Sequence, residues 1–240
     1  MQGIFTLNPT FAAMAKILNI ETSTTVCSIA IGIDGKIVSV NEVNNGYSHA
    51  EKIEELIEKS LNDAKVSLKD LDAVSVSKGP GSYTGLRIGV SIAKGLCFGL
   101  KTPLISVPSL EAMAMSPLLL DNKNEAKVPM LDARRMEVYA CVLRGNNQVI
   151  SPTSAIVIDE NSFKETLENS TVFFGPGMDK CKPILSQNSQ AIFIENVLPS
   201  AAQMVGISDT KFNTSEFEDV AYFEPFYLKD FVAGKPKKLL

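Results

Sequence analysis

The sequence predicts an α/β protein built from two successive βββαβαβα units, and three observations predict it. Apolar runs of strand length alternate with stretches of helical periodicity from Met14 onward. A Gly-Pro-Gly turn follows the fourth strand-like run of each half, at Gly79-Pro80-Gly81 and at Gly175-Pro176-Gly177. An acid closes the first strand-like run of each half, Glu21 in one and Asp132 in the other. The turns are offset by 96 positions and the acids by 111, and the difference falls where the second half has the shorter first helix. Two landmarks in the same order indicate an internal duplication, with the polar strand ends facing a shared cleft. The expected layout is a leader over 1–13, domains over 14–120 and 121–210, and an extension over 211–240.

Residues 1–13 carry no charge, so they lack the basic start of a secretory signal and the arginines of a transit peptide. They are expected to be a mobile leader ahead of a functional start at Met14. Lys16 to Ile20 and Val26 to Ile33 are strands, and Asp34-Gly35 turns the second into a third, Lys36 to Val43. Ile53, Leu56, Ile57, Leu61 and Ala64 give one apolar face to a helix from Ser48, which has the capping-box spacing to Glu51. A strand at Ala73 to Ser77, a Gly-rich turn, a helix to Leu100, a strand at Leu104 to Val107 and a helix from Ser109 to Met115 complete this half. The second half has strands at Val128 to Leu131, Glu137 to Leu143 and Gln148 to Ile158, then a helix over Glu160 to Glu168. It continues with a strand at Val172 to Phe174, a helix over Met178 to Leu185, a strand at Ala191 to Ile194 and a helix over Ser200 to Val205.

Composition narrows the function classes. With 45% hydrophobic and 21% charged residues the chain can bury a core, which a disordered chain cannot. A net charge of -4 excludes a globally basic nucleic-acid binder. The single histidine, His49, removes HExxH and HxxxH metal sites and leaves no convincing triad for a serine, threonine or cysteine nucleophile. Cys27, Cys97, Cys141 and Cys181 form no CxxC pair and read as reduced, buried fillers of a cytoplasmic protein. The most apolar helical stretch, Leu86 to Leu100, is interrupted by Arg87 and Lys94, so no membrane span is expected.

A duplicated unit with an acid after its first strand resembles the fold shared by actin, sugar kinases and the Hsp70 ATPase. In that fold the first hairpin grips phosphate and the acid helps to place magnesium. Glu21, Thr22 and Ser23 offer a carboxylate for a hydrated cation and hydroxyls for phosphate oxygens, and equally the hydroxyls satisfy turn amides. With Asp132 and Arg134 they are the cleft candidates, either sharing a magnesium or standing as remnants of an ancestral nucleotide site. Arg134 and Arg135 either meet phosphate or are solvated, and Lys235-Pro236-Lys237-Lys238 is a small basic tail of the same double reading.

The stretch Lys78-Gly79-Pro80-Gly81-Ser82-Tyr83-Thr84-Gly85-Leu86-Arg87-Ile88-Gly89 is neither a P-loop nor GxGxxG. In the helix beyond it Gly85, Gly89 and Ala93 share one face, Gly95 and Gly99 share another, and Arg87, Ser91 and Lys94 make a polar stripe. Each interior glycine costs a helix about 1 kcal/mol relative to alanine, so close packing must offset it. That packing is either internal or against a helix of another protein.

GPGSYTGLRIG (79–89), with LNIETST (18–24), LDARRMEVY (131–139) and EPFYLK (224–229), resembles the TsaB (YeaZ) family of tRNA threonylcarbamoyladenosine biosynthesis, a glycoprotease-like homologue of TsaD. The resemblance implies a non-catalytic subunit that pairs with the paralogue TsaD and the ATPase TsaE to place a threonylcarbamoyl group on the adenosine beside the tRNA anticodon. It implies ATP and magnesium used by the assembled complex with none bound by this chain alone, and weak or indirect tRNA contact. A surface made for a paralogue can also pair with itself, so a homodimer is open to the chain where TsaD is absent. TsaD holds its metal through two histidines four apart; the matching positions here are Ser109 and Met113, which suit no hard or borderline divalent ion. The resemblance puts the partner interface on the first two helices, at Lys52, Leu56, Gly85, Arg87, Gly89, Val90, Ala93 and Lys94. On that reading Gly89→Leu abolishes pairing and leaves the fold intact. The alternative is a free-standing small-molecule kinase or ATPase, which would bind and turn over ATP.

Overall fold

The structure is a computed structural model and describes residues 14–44, 46, 49–122 and 125–229. The expected leader, the Ser48 cap and the lysines at 235, 237 and 238 lie outside the described residues.

β1 (Lys16–Glu21), β2 (Cys27–Ile33) and β3 (Lys36–Val43) form an antiparallel meander, closed at Asp34-Gly35 where both residues have positive φ. β4 (Ala73–Gly79) pairs parallel with β1, and β5 (Leu104–Pro108) pairs parallel with β4, giving the order β3-β2-β1-β4-β5. In the second half β6 (Ala126–Asp132), β7 (Glu137–Arg144), β8 (Gln148–Val157), β9 (Thr171–Phe174) and β10 (Ala191–Ile194) repeat that order as β10-β9-β6-β7-β8. The duplication read from two landmarks is therefore a duplication of sheet topology.

Alternation along β1 sorts its side chains between two layers. Leu18 and Ile20 face α1 (His49–Ala64) and α2 (Tyr83–Leu100), packing with Ile53, Leu56, Val90 and Ala93. Ile17 faces the other way, toward Ala112 and Met204. α3 (Ser109–Met113) lies between the sheets: Ala112 joins the layer under the first, while Leu110 and Met113 pack with Leu131 and Phe174 of the second. The far face of the second sheet is covered by Met178, Cys181 and Leu185, the last on α4 (Lys182–Leu185). His49 is buried at the start of α1, where Nε2 donates to the Val26 carbonyl at 3.2 Å.

Four helices differ from expectation. Residues 160–168 form no α-helix, only a 3₁₀ turn at Thr166–Glu168. Asp159 Oδ1 accepts from the Asn161 amide at 2.9 Å, and Phe163 takes φ 61° to place its ring against Phe173. Local hydrogen bonding and a core aromatic override helical propensity there. The helix over 178–185 shrinks to α4, with Pro183 in its first turn, because proline is tolerated at a helix start and not inside. α3 stops at Met113, short of Met115, as Pro117 holds Ser116 out of the helical region. The final element is longer: a 3₁₀ turn at Ala201–Met204, capped by Ser200, runs into α5 (Val205–Asn213). Ala201 and Val205 pack on Ala30, so this segment covers the first sheet, although its sequence belongs to the second half.

Residues 217–229 form a strap along the first half. The Glu218 amide donates to the Leu104 carbonyl at 2.8 Å and the Phe226 amide to the Lys78 carbonyl at 2.7 Å. Lys94 Nζ donates to the Ala221 and Phe223 carbonyls at 3.1 and 3.0 Å.

Candidate functional site

β1 delivers Glu21, Thr22 and Ser23 to the first hairpin turn, and all three are fully buried. The turn is covered by the Gly-Pro-Gly loop and the first turns of α2. The Ser82 amide donates to the Ser23 carbonyl at 2.6 Å, and the Thr22 amide to Ser77 Oγ at 3.3 Å. A Cβ at Gly85 would collide with the Thr22 carbonyl oxygen, one at Gly89 with Thr22 Oγ1, and one at Gly81 with the Ser23 carbonyl. The glycines thus let a helix lie directly on the hairpin. The side chains of Glu21, Thr22 and Ser23 are buried beneath the helix and present no accessible oxygen to a phosphate or a magnesium ion.

Burial pushes the Glu21 carboxyl above its ordinary value, against hydrogen bonds from Ser23, Ser77 and Thr22 that lower it. Its Oε1 accepts from the Ser23 amide at 2.5 Å while Oε2 has no partner. An acid whose folded pKa is raised holds a proton that the unfolded chain releases, so its stabilising contribution is complete below pH 4.5 and lost as pH rises through the folded value. Glu21→Gln is therefore expected to stabilise the fold at pH 8 relative to the parent chain, with the gain vanishing below pH 4.5. Urea unfolding of both proteins at the two pH values checks it.

Asp132 is on the surface instead. It accepts from the Arg134 amide at 2.8 Å and pairs with Lys180, which also donates to the Glu137 carbonyl. Partial burial would raise its pKa, but Lys180 and Arg134 hold the carboxyl below its ordinary value. One acid is thus sealed beneath α2 and the other is paired with Lys180 at the surface. Among the described residues no group of three His, Cys, Asp or Glu is placed to hold a metal. Ser109 and Met113 are both fully buried between the sheets. The four cysteines are free and buried, and burial pushes Cys27, Cys97 and Cys181 up to about 11 and Cys141 up to about 12.

The interface candidates divide sharply. Leu56, Gly85, Gly89, Val90 and Ala93 are buried and face their own core, and the Gly85-Gly89-Ala93 face packs internally, its first two members against Thr22. Lys94 is spent holding the strap, and Lys52 pairs with Glu55 on its own helix at 2.9 Å. Arg87 does face outward. The open surface is the other face of α2, where Thr84, Ser91, Gly95 and Gly99 are exposed and Ile88 and Ile92 half-buried. Nothing lies within 4 Å of where a Cβ would stand on Gly95 or Gly99. Phe98 beside them is 83% exposed.

At the N-terminal end this face widens into a shallow groove of about 510 Å³ lined by Ala50, Tyr83, Thr84, Arg87, Ile88, Ser91 and Ile92. Arg87 Nη1 donates to Tyr83 Oη at 2.8 Å, and Tyr83 packs on Tyr227 of the strap with ring centroids 4.9 Å apart. Sequence reasoning missed Ala50, Ile88, Ile92, Phe98 and Tyr227. The signal for most of them was the second small-residue face, Gly95 and Gly99, extended backward at helical spacing through Ser91, Ile88 and Thr84. No signal announced Tyr227, whose place depends on the strap.

The comparisons with known proteins agree with this architecture. A family model described as TsaD: tRNA N6-adenosine threonylcarbamoyltransferase matches residues 44–234. The tRNA threonylcarbamoyladenosine biosynthesis protein TsaB of Haemophilus influenzae is 30% identical over 237 residues, covering 91% of this chain and 95% of that one. TsaB of Escherichia coli is 31% identical over 229 residues, covering 92% and 97%. The solved structure of YeaZ from Pseudomonas aeruginosa superposes with a TM-score of 0.72 at 23% identity, covering 90% of this chain and all 100% of that one, and shares the fold. Similarity that runs nearly end to end in both directions places the chain in the TsaB family of tRNA threonylcarbamoyladenosine biosynthesis proteins.

Proposed function

We propose that this chain is a non-catalytic subunit of the cytoplasmic machinery that builds threonylcarbamoyladenosine on tRNA, and that it activates a TsaD paralogue by docking on it through the outer face of α2. The observation that carries the reading is the stripe Thr84, Ile88, Ser91, Gly95 and Gly99, with open space over both glycines. Small residues at this spacing let two helices approach closely, and the neighbouring apolar groove and Phe98 supply area to bury. A paralogue of the same fold carries the counterpart helices. Glu51, Glu54, Glu55 and Glu58 are exposed along α1, so the partner is expected to be basic where it passes that helix. The same face would pair two copies of this chain where the paralogue is absent.

The sealed first hairpin and the buried, high-pKa thiols support assigning the chemistry to the partners: ATP and magnesium are used by the assembled complex, including the ATPase TsaE. They also weigh against a free-standing kinase, which needs phosphate against that hairpin. Reconstitution tests the reading. Modified nucleoside is expected when this chain, TsaD, TsaE, ATP, threonine, bicarbonate and tRNA are all supplied, and little without this chain. Efficient ATP turnover by the isolated chain, or equal modification in its absence, would overturn it.

A further inference from the structure

The first hairpins of the two halves have taken opposite courses. In the first, hydroxyl residues lie sealed under α2; in the second, the turn between β6 and β7 is open and carries Arg134 and Arg135. Both arginines have left-handed backbone, φ 71° and 50°, a region that L side chains avoid and that glycine or asparagine would normally fill. The turn is closed by the Ala133 amide donating to the Glu137 carbonyl at 3.0 Å and the Glu137 amide to the Arg134 carbonyl at 3.1 Å. Two consecutive arginines there are unfavourable for the fold, and an outlier of this kind at an exposed tip points to use.

The surrounding charges are already matched. Asp132 pairs with Lys180, and Glu137 pairs with Lys229 of the strap. Neither guanidinium of Arg134 or Arg135 has an ion pair among the described residues, and both side chains are exposed. Together they place two adjacent cations, without an ion pair among the described residues, at one exposed turn of a chain whose net charge is -4. A guanidinium fork matches phosphate oxygens two at a time, and its charge does not titrate away.

We propose that Arg134 and Arg135 contact the phosphodiester backbone of the tRNA substrate directly, orienting it on the assembled complex. The inference rests on the functional reading above. A contact confined to two phosphates gives a weak, salt-sensitive interaction that fixes direction and carries no sequence preference.

The test uses the complex of the full chain with its TsaD paralogue and measures tRNA binding by fluorescence anisotropy across 50–200 mM KCl, alongside size-exclusion of the complex and thermal unfolding of the chain. Arg134→Gly with Arg135→Gly removes both charges and suits the left-handed backbone, so folding and pairing with TsaD are expected to be retained. The slope of log affinity against log salt is expected to fall by about two, and affinity at low salt to drop about tenfold. Arg134→Lys with Arg135→Lys is expected to keep most of the slope. An unchanged affinity and slope in the glycine variant would overturn the proposal. So would loss of TsaD pairing in that variant, which would assign the arginines to a protein contact. Failure of wild-type chain and TsaD to pair at all would instead strike the functional reading.

Discussion

Gly85→Ala is expected to destabilise the protein by about 3 kcal/mol or more, and Gly89→Ala by about 2 kcal/mol, despite the roughly 1 kcal/mol that alanine adds to a helix. The two obstacles differ in kind. At Gly89 the new methyl meets Thr22 Oγ1, the end of a side chain, whereas at Gly85 it meets the Thr22 backbone carbonyl. Thr22→Ala should therefore rescue Gly89→Ala and leave Gly85→Ala unrelieved. Residues in contact couple in this way when one substitution removes what the other strikes. Urea unfolding of the two singles and two doubles reads the difference directly. Gly89→Leu, on the same geometry, costs the fold itself and is no probe of pairing.

Gly95→Leu has the opposite expectation. Nothing stands within 4 Å of its added Cβ, and the glycine now weakens the interior of an 18-residue helix. Leucine should stabilise the isolated chain by about 0.5–1 kcal/mol through helix propensity alone. On the docking face the same side chain holds a partner helix away from the position that Ser91, Gly95 and Gly99 admit. Affinity for TsaD is expected to fall at least 100-fold, about 2.7 kcal/mol, by the usual relation between affinity and free energy. Co-elution and calorimetric titration of a protein more stable than wild type separate an interface effect from a folding one.

Much of the fold was legible because apolar period and turn chemistry agree along the first half. Ile53, Leu56, Ile57 and Leu61 mark one face of α1, and all are buried. The second half was less legible where tertiary contacts decide. Phe163 turns into the core against Phe173, and a segment of good helical composition becomes turns. α5 extends through Ser208, Asp209, Thr210 and Lys211, which show no apolar stripe, because it lies on a sheet that its own half does not build.

The site shows the same division. The sequence displayed two small-residue faces on α2 without saying which one turns inward. The cause is Thr22, 63 positions upstream of Gly85, brought against the helix by the β1–β4 pairing. Lys94 resembles a surface lysine until the strap places two carbonyls at its ammonium. Arg134 and Arg135 were visible as a charged pair, but their left-handed backbone and matched neighbours exist only in the folded turn.

Hydroxyl-radical footprinting of the chain, free and bound to TsaD, tests the docking face most directly. Oxidation of Phe98, Ile88 and Ile92 is expected to fall severalfold on binding, while the exposed Leu118, Leu120 and Ile150 elsewhere keep their reactivity. Protection of those three with Phe98 left as reactive as in the free chain would contradict that expectation.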